Sequence, residues 1–179
     1  MSKDMFDVLI LGVGNCKIRR VKADNKALDY SDSKVTSIDM NPDCNPTICM
    51  ELGGIGGERK LPFEDESFDE INAYDTLEHW GVQGDWKGYF REFEEYHRIL
   101  RVGGQMCVLV PRGSDAFADP GHVRFFSANH FGMLNQAFYQ ENTDKGTSCT
   151  DYRWFWKKNF DISFYEKSDH HIAVILVKT

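Results

Sequence analysis

Short apolar runs, each about the length of a strand, recur along the chain and end in glycine turns or polar segments. In the first 111 residues they predict five strands, at about 7–11, 35–39, 47–52, 68–74 and 105–111. Because longer polar or helical segments separate these runs, we expect parallel strands joined by right-handed crossovers. The pattern therefore predicts an α/β fold.

The clearest helix follows the fourth predicted strand. Its apolar stripe recurs at intervals of four, three, four and three residues, at Trp86, Phe90, Phe93, His97 and Leu100. The charged residues between these positions are predicted to face water, namely Arg91, Glu92, Glu94 and Glu95. His97 lies on the stripe and is interpreted as a core histidine. Two glycines at 103–104 are predicted to end the helix.

The last third of the chain has a different pattern. Two apolar runs at 160–165 and 172–177 are joined by a short charged turn, which can connect only antiparallel strands. Between the fifth strand and this hairpin, residues 112–159 form an aromatic-rich insertion with a helix predicted near 127–139. We expect this insertion to face a substrate, because ligands bind at the carboxyl ends of strands in open α/β sheets. Residues 1–179 are predicted to form a single domain.

The ends of the first two strands carry the strongest functional signal. The first strand runs into Gly12-Val13-Gly14-Asn15, and the second ends at Asp39. In a parallel sheet these ends lie side by side, where glycines admit a ligand and a carboxylate accepts ribose hydroxyls. Asp39 could instead cap the turn at Asn41-Pro42. The pattern favours a nucleoside site.

Composition narrows the class of protein. The 179 residues are 41% hydrophobic and carry a net charge of −7, which predicts one folded domain that does not bind long nucleic acid. The basic run 17–20, with Lys22, is interpreted as a solvated loop. The five cysteines lack a metal-binding spacing, so we expect reduced thiols and no metal site. Without a signal peptide or an apolar run of about 20 residues, a cytoplasmic location away from membranes is predicted.

Four segments together resemble the small class I S-adenosylmethionine-dependent methyltransferases, often labelled type 11. They are LGVGN at 11–15, SIDMNP at 37–42, LPFEDESFDEI at 61–71 continuing to LEH at 77–79, and EYHRILRVGG at 95–104. They span residues 8–111, and the third segment is the most specific. Residues 119–126 are similar to the tails of bacteriophage-encoded members.

This resemblance implies a Rossmann-like sheet of seven strands, mostly parallel, with an antiparallel last strand and helices on both faces. It implies S-adenosylmethionine as the cofactor, bound by Gly12, Val13, Gly14, Asn15, Asp39, Met40, Glu51, Leu52, Ala73 and Tyr74. Asp39 would bind the ribose hydroxyls, and Met40 would lie against the adenine. Many members carry an acidic residue, linked to the cofactor's amino group, where Ile10 stands here.

The residues that would act on the acceptor are less defined. Methyl transfer needs alignment of donor and acceptor, and a base only when the acceptor must lose a proton. His79 and His122 are the candidate bases, although His79 could simply bond to backbone. Arg124 and Trp80 are candidate substrate contacts. Arg124 could equally pair with Asp119 or Asp115, and the tryptophans could belong to the core.

Two functions remain open on these grounds. The first is methyl transfer to a small molecule, and the second is a non-catalytic cofactor-binding or assembly protein that retains the fold. A dinucleotide oxidoreductase is disfavoured, because Lys17 stands where its fingerprint requires a third glycine. The sequence gives no prediction of the oligomeric state.

Overall fold

The structure is a computed structural model that describes residues 5–15, 17–21, 26–56 and 59–179. The described strands are β1 Phe6–Leu11, β2 Ser33–Asp39, β3 Ile48–Cys49, β4 Phe68–Tyr74, β5 Leu100–Pro111, β6 Phe160–Lys167 and β7 His171–Lys178. The described α-helices are α1 Trp86–Ile99, α2 Ala128–Gly132 and α3 Gln136–Asp144. No described helix is long and apolar enough to cross a membrane.

The strands form one seven-stranded sheet in the order β3-β2-β1-β4-β5-β7-β6. The first five strands in this order, β3, β2, β1, β4 and β5, are mutually parallel. β7 is antiparallel to both β5 and β6. This confirms the predicted parallel sheet closed by an antiparallel hairpin. β3 is shorter than the predicted 47–52, because it pairs only with the last two residues of β2.

One face of the sheet carries the main core. Alternate residues of each strand point into it, as Leu9 and Leu11 do in β1, and Phe90 and Phe93 of α1 pack against them. α1 ends at Ile99, earlier than its apolar stripe, because Leu100 adopts an extended conformation and begins β5 directly. The fifth strand therefore begins before the predicted residue 105.

The prediction that Glu92 and Glu95 face water is wrong. Both side chains are buried, although Arg91 and Glu94 on the same helix are exposed as expected. Glu95 accepts a hydrogen bond from the backbone amide of Leu61 at 2.6 Å. Helical periodicity assigned these glutamates to the solvent side, but chain segments outside the helix cover them and supply their partners.

The second face of the sheet has no α-helix in the described part of the chain. Residues 17–21 and 26–32 cover it as loops, so the expected helices are present on one face only. Arg19 is buried there rather than solvated, and its guanidinium donates to Glu70 at 2.8 Å and to Ser33 at 2.6 Å. A buried polar network thus occupies the place of a packed helix. Lys22 of the predicted basic loop lies outside the described residues.

The insertion contains two short helices instead of one helix over 127–139. Asn135 interrupts it, because its side chain accepts from the amides of Ala137 and Phe138 and begins α3. Trp156 is buried, stacks on Phe90 with centroids 5.6 Å apart, and donates to a backbone carbonyl. The interpretation of these aromatic residues as core is therefore confirmed for Trp156.

Candidate functional site

A cavity of about 560 Å³ lies where β1, β2 and β4 end. This volume is typical of small-molecule sites. Eight residues predicted from sequence line it, namely Gly12, Gly14, Asp39, Met40, Glu51, Leu52, His79 and Trp80. The structure therefore brings most of the predicted cofactor positions together with two of the predicted acceptor-side positions.

Asp39 both shapes the site and faces it. Its Oδ2 accepts the amide hydrogen of Gly14 at 2.9 Å, and its Oδ1 accepts that of Asn41 at 2.8 Å. The turn-capping interpretation and the cavity-lining interpretation therefore both hold. Each carboxylate oxygen keeps further acceptor capacity, so a ligand hydroxyl can still bond to it.

The two glycines after β1 have different surroundings. Gly12 has a φ of +62°, and an added Cβ would lie 2.5 Å from two side-chain atoms of Thr76. Gly14 has a φ of +49°, but an added Cβ there would meet nothing within 4 Å. Gly12 thus permits close packing of two strand ends, and Gly14 leaves open space for a ligand beside the backbone.

Four predicted cofactor positions do not line this cavity. Val13 and Asn15 border a neighbouring hollow of about 170 Å³, while Ala73 is buried in the core. Tyr74 points to the opposite face, where its hydroxyl donates to the carbonyl of Val21 at 2.6 Å. Successive side chains of a strand point to opposite faces of the sheet, so those of residues 73 and 74 lie on its two faces. Neither reaches the edge of the sheet where the cavity lies.

The positions that replace them are Asp75 and Thr76, which immediately follow β4 and line the cavity. Asp75 has a φ of +49°, and its Oδ2 forms an ion pair with Arg20. Its Oδ1 makes no hydrogen bond and lies 3.3 Å from the Nε2 of His171. Its position directly after a buried strand was the signal that could have identified it.

Trp80 forms part of the cavity wall, and its indole is hydrogen-bonded to a residue outside the cavity lining. Its Nε1 donates to Glu92 at 2.7 Å, and the hydroxyl of Tyr96 donates to the same carboxylate at 2.9 Å. Arg124 completes the group, with Nη1 2.7 Å from the other oxygen of Glu92. These contacts fix the orientation of the indole.

The expectation that Arg124 contacts substrate is corrected. Its side chain is 6% exposed, lies outside the cavity lining, and pairs with Glu92 rather than with either predicted aspartate. Burial acts to lower its pKa, but the Glu92 carboxylate outweighs that effect and keeps it raised. Arg124 therefore supports the cavity wall and does not present its charge to a ligand.

Glu78 and His122 lie directly behind His79. The rings of His79 and His122 meet edge to face with centroids 4.7 Å apart, and the Nε2 of His122 is 3.8 Å from Oε1 of Glu78. His79 lines the cavity, and its ring makes no hydrogen bond to the backbone of the described residues. Its backbone amide donates to the carbonyl oxygen of Thr76. Burial raises the pKa of Glu78 to about 8, partly offset by nearby amides and Arg124.

A family model described as a methyltransferase domain matches residues 9–108, more than half of the chain. The chain belongs to this methyltransferase family. Its cofactor is S-adenosylmethionine, as the resemblance of the four sequence segments implied. No curated protein sequence matches the methyltransferase.

Solved structures share the fold of this methyltransferase. A Burkholderia thailandensis 1,6-didemethyltoxoflavin-N1-methyltransferase, bound to 1,6-didemethyltoxoflavin and S-adenosylhomocysteine, aligns at 14% identity with a TM-score of 0.56, over 98% of this chain and 72% of its own. The N-methyltransferase NodS of Bradyrhizobium japonicum aligns at 12% identity with a TM-score of 0.55, over 97% of this chain and 85% of its own. The [4+2]-cyclase SpnF aligns at 13% identity with a TM-score of 0.54, over 97% of this chain and 75% of its own. These identities establish a common fold only.

Proposed function

We propose that this protein transfers the methyl group of S-adenosylmethionine to a small molecule bound at the His79 and Trp80 end of the cavity. One observation carries the proposal. A single cavity is lined by Gly12 and Asp39 on the cofactor side and by His79 and Trp80 on the other. Donor and acceptor can thus share one cavity.

The cavity residues fit the cofactor. Asp39 is oriented to accept ribose hydroxyls, since its contacts to two backbone amides fix the carboxylate at the strand end. Met40, Glu51 and Leu52 continue the lining, where the adenine would lie. Gly14 leaves room for the ligand beside the backbone.

Asp75 is our candidate partner for the amino group of the cofactor. Ile10, which stands where many members carry an acid, is 4% exposed and buried on the second face of the sheet. Asp75 lines the cavity, and its oxygen without a hydrogen bond, Oδ1, is buried 3.3 Å from Nε2 of His171. The amino group would take the place of His171 at this oxygen, so that the end of β4 supplies the carboxylate instead of β1.

Methyl transfer requires the protein mainly to align the methyl donor with the acceptor. S-adenosylmethionine supplies an electrophilic methyl group on a positively charged sulfur. The chain's task is to hold the acceptor in line and limit its motion, which can lower the barrier by several kcal/mol. Trp80, fixed through Glu92, provides a rigid wall for this purpose. His79 can accept a proton where the acceptor must lose one.

A non-catalytic cofactor-binding role is the second candidate. The apolar Ile10 favours it, as does the absence of a helix among the described residues between β1 and β2. Both features alter the segment next to the cofactor. The small-molecule acceptor, the cytoplasmic location and the bacteriophage origin remain predictions.

A turnover assay with methyl-labelled S-adenosylmethionine tests the proposal. Pooled small metabolites, nucleic acid and protein would be offered separately to the wild type and to Asp39→Ala. We expect label to enter the small-metabolite pool with the wild type, and much less with the variant. Label entering only nucleic acid or protein would contradict the proposed acceptor class. Cofactor binding without transfer to any pool would favour the second candidate.

A further inference from the structure

Glu78 is a buried carboxylate with no hydrogen-bond partner. Its side chain is 2% exposed, and neither Oε1 nor Oε2 makes a hydrogen bond of ordinary geometry. Arg124 directs its guanidinium to Glu92 instead. A buried carboxylate in such surroundings is costly unless it is protonated or binds a cation.

His122 directs its Nε2 at this carboxylate. Its Nδ1 lies 3.1 Å from the carbonyl oxygen of Ala116, which can only accept a hydrogen bond. In the neutral ring the proton therefore sits on Nδ1, and the Nε2 lone pair faces Oε1 of Glu78 at 3.8 Å. The two atoms face each other at a distance too long for a hydrogen bond.

The backbone fixes this arrangement. The carbonyl oxygen of Glu78 accepts from the amides of Val123 and Arg124, at 2.9 and 3.2 Å. A turn held by Asp119, whose Oδ1 accepts from Gly121 at 2.7 Å, leads into the same segment. Glu78 and His122, 44 positions apart in the chain, are thus held side by side.

We propose that Glu78, His79 and His122 bind one divalent transition-metal cation beside the cofactor cavity. One donor atom from each lies within 4.8 Å of the others. Donors around a tetrahedral metal with bonds of about 2.1 Å lie about 3.4 Å apart, so the donors must move closer by up to about 1.4 Å. His79 can make that adjustment because it is exposed. The bond from His122 to Ala116 supplies the orienting contact typical of a metal-bound imidazole.

The donor set favours a transition metal over Mg²⁺ or Ca²⁺, because two imidazoles accompany one carboxylate. Three ligands leave positions open, and His79 itself lines the cavity. The role of the site rests on the proposed function: with a cation bound, His79 would no longer accept a proton, and the cation would instead bind an oxygen atom of the acceptor and lower the pKa of its hydroxyl. The sequence predicted no metal site, because only folding brings His122 to the other two residues.

Electron paramagnetic resonance with Mn²⁺ tests the site on the full chain. Free Mn²⁺ gives a strong signal that falls on binding, and Mn²⁺ has little affinity for the free cysteines. We expect one saturable site in the wild type, weakened about tenfold or more in Glu78→Gln and in His122→Gln. The exposed His170, which pairs with Asp115, supplies the matched control His170→Gln, expected to bind Mn²⁺ as the wild type does.

Two results would overturn the proposal. One is no saturable Mn²⁺ binding by the wild type. The other is equal binding in all four proteins, which would indicate adventitious association with the acidic surface. Urea unfolding of each variant and titration with S-adenosylhomocysteine establish that the variants are folded. The titration also separates failure of the metal site from failure of the proposed function. A wild type that binds S-adenosylhomocysteine but does not bind Mn²⁺ contradicts the metal site alone.

Discussion

Arg124 and Glu92 form a buried ion pair with two contacts, Nη1 to Oε2 at 2.7 Å and Nη2 to Oε1 at 3.1 Å. The guanidinium also lies over the ring of Phe126, 4.8 Å from its centroid. The same carboxylate holds the indole of Trp80. The pair therefore connects the insertion, α1 and the cavity wall.

Replacing Arg124 by Met should destabilise the protein by about 3–5 kcal/mol, because Glu92 would be left as a buried charge without its cation. Urea unfolding monitored by tryptophan fluorescence gives the value. Glu94→Gln, an exposed change on the same helix, should alter the free energy of unfolding by less than about 0.5 kcal/mol. A similar small change in Arg124→Met would contradict the structural role of the pair.

Gly12→Ala should destabilise the protein more than Gly14→Ala. Both positions have positive φ, which costs a non-glycine residue about 1–2 kcal/mol, but only the Gly12 Cβ would collide with Thr76. The double variant Gly12→Ala with Thr76→Ala should recover part of the loss in unfolding free energy. Equal losses in the two single variants would show that the contact with Thr76 is unimportant.

Asp75→Asn should weaken binding of S-adenosylhomocysteine by about tenfold or more, because a charge-assisted contact to the amino group is lost. Titration calorimetry measures the change. The matched control is 5′-methylthioadenosine, which has the nucleoside and the thioether but lacks the amino-acid part that carries the α-amino group. Its affinity should be the same for both proteins. An equal loss for the two ligands would indicate that Asp75 acts on the nucleoside or on the fold.

His97 should make the protein less stable as the pH falls from 6.5 towards 4. Burial, aided by Lys178 and Lys158, lowers its pKa to about 4, so the unfolded chain binds a proton more readily than the folded one. The stability is complete above the unfolded pKa and decreases below it, by up to about 3 kcal/mol at about 1.4 kcal/mol per pKa unit.

The difference in unfolding free energy between the wild type and His97→Gln, measured at pH 7.5 and pH 5, isolates this contribution. The variant should lose less stability over that range than the wild type. His170→Gln, at an exposed position, should follow the wild type. Parallel pH profiles for the wild type and His97→Gln would contradict the prediction.

The sequence predicted the sheet well because its signal is local. β4 matches the predicted 68–74, and the hairpin follows from the short turn between two apolar runs. Gly12 and Asp39 were predicted as site residues because strand ends and glycine turns are visible in the chain. Ala73 and Tyr74 were misplaced, since the alternation within β4 and the exact residue at which the chain leaves the sheet decide which side chains reach the cavity.

Long-range polar contacts could not be read from the sequence. Periodicity put Glu92 on the water-facing side of α1, but its partner Arg124 is supplied by the insertion 32 positions later. Arg19 was assigned to a solvated loop for the same reason, although Glu70 and Ser33 hold it in the interior. Such pairs depend on the tertiary fold rather than on local pattern.

Binding of S-adenosylhomocysteine, measured by titration calorimetry, tests the central claim most directly. We expect the wild type to bind, and Asp39→Ala to bind about ten- to a hundredfold more weakly, because the ribose hydroxyls lose a charged acceptor. Asp43→Ala, an exposed change four residues along the chain, should bind as the wild type does. If neither S-adenosylmethionine nor S-adenosylhomocysteine binds the wild type at about 1 mM, the assignment of this cavity to the cofactor is contradicted.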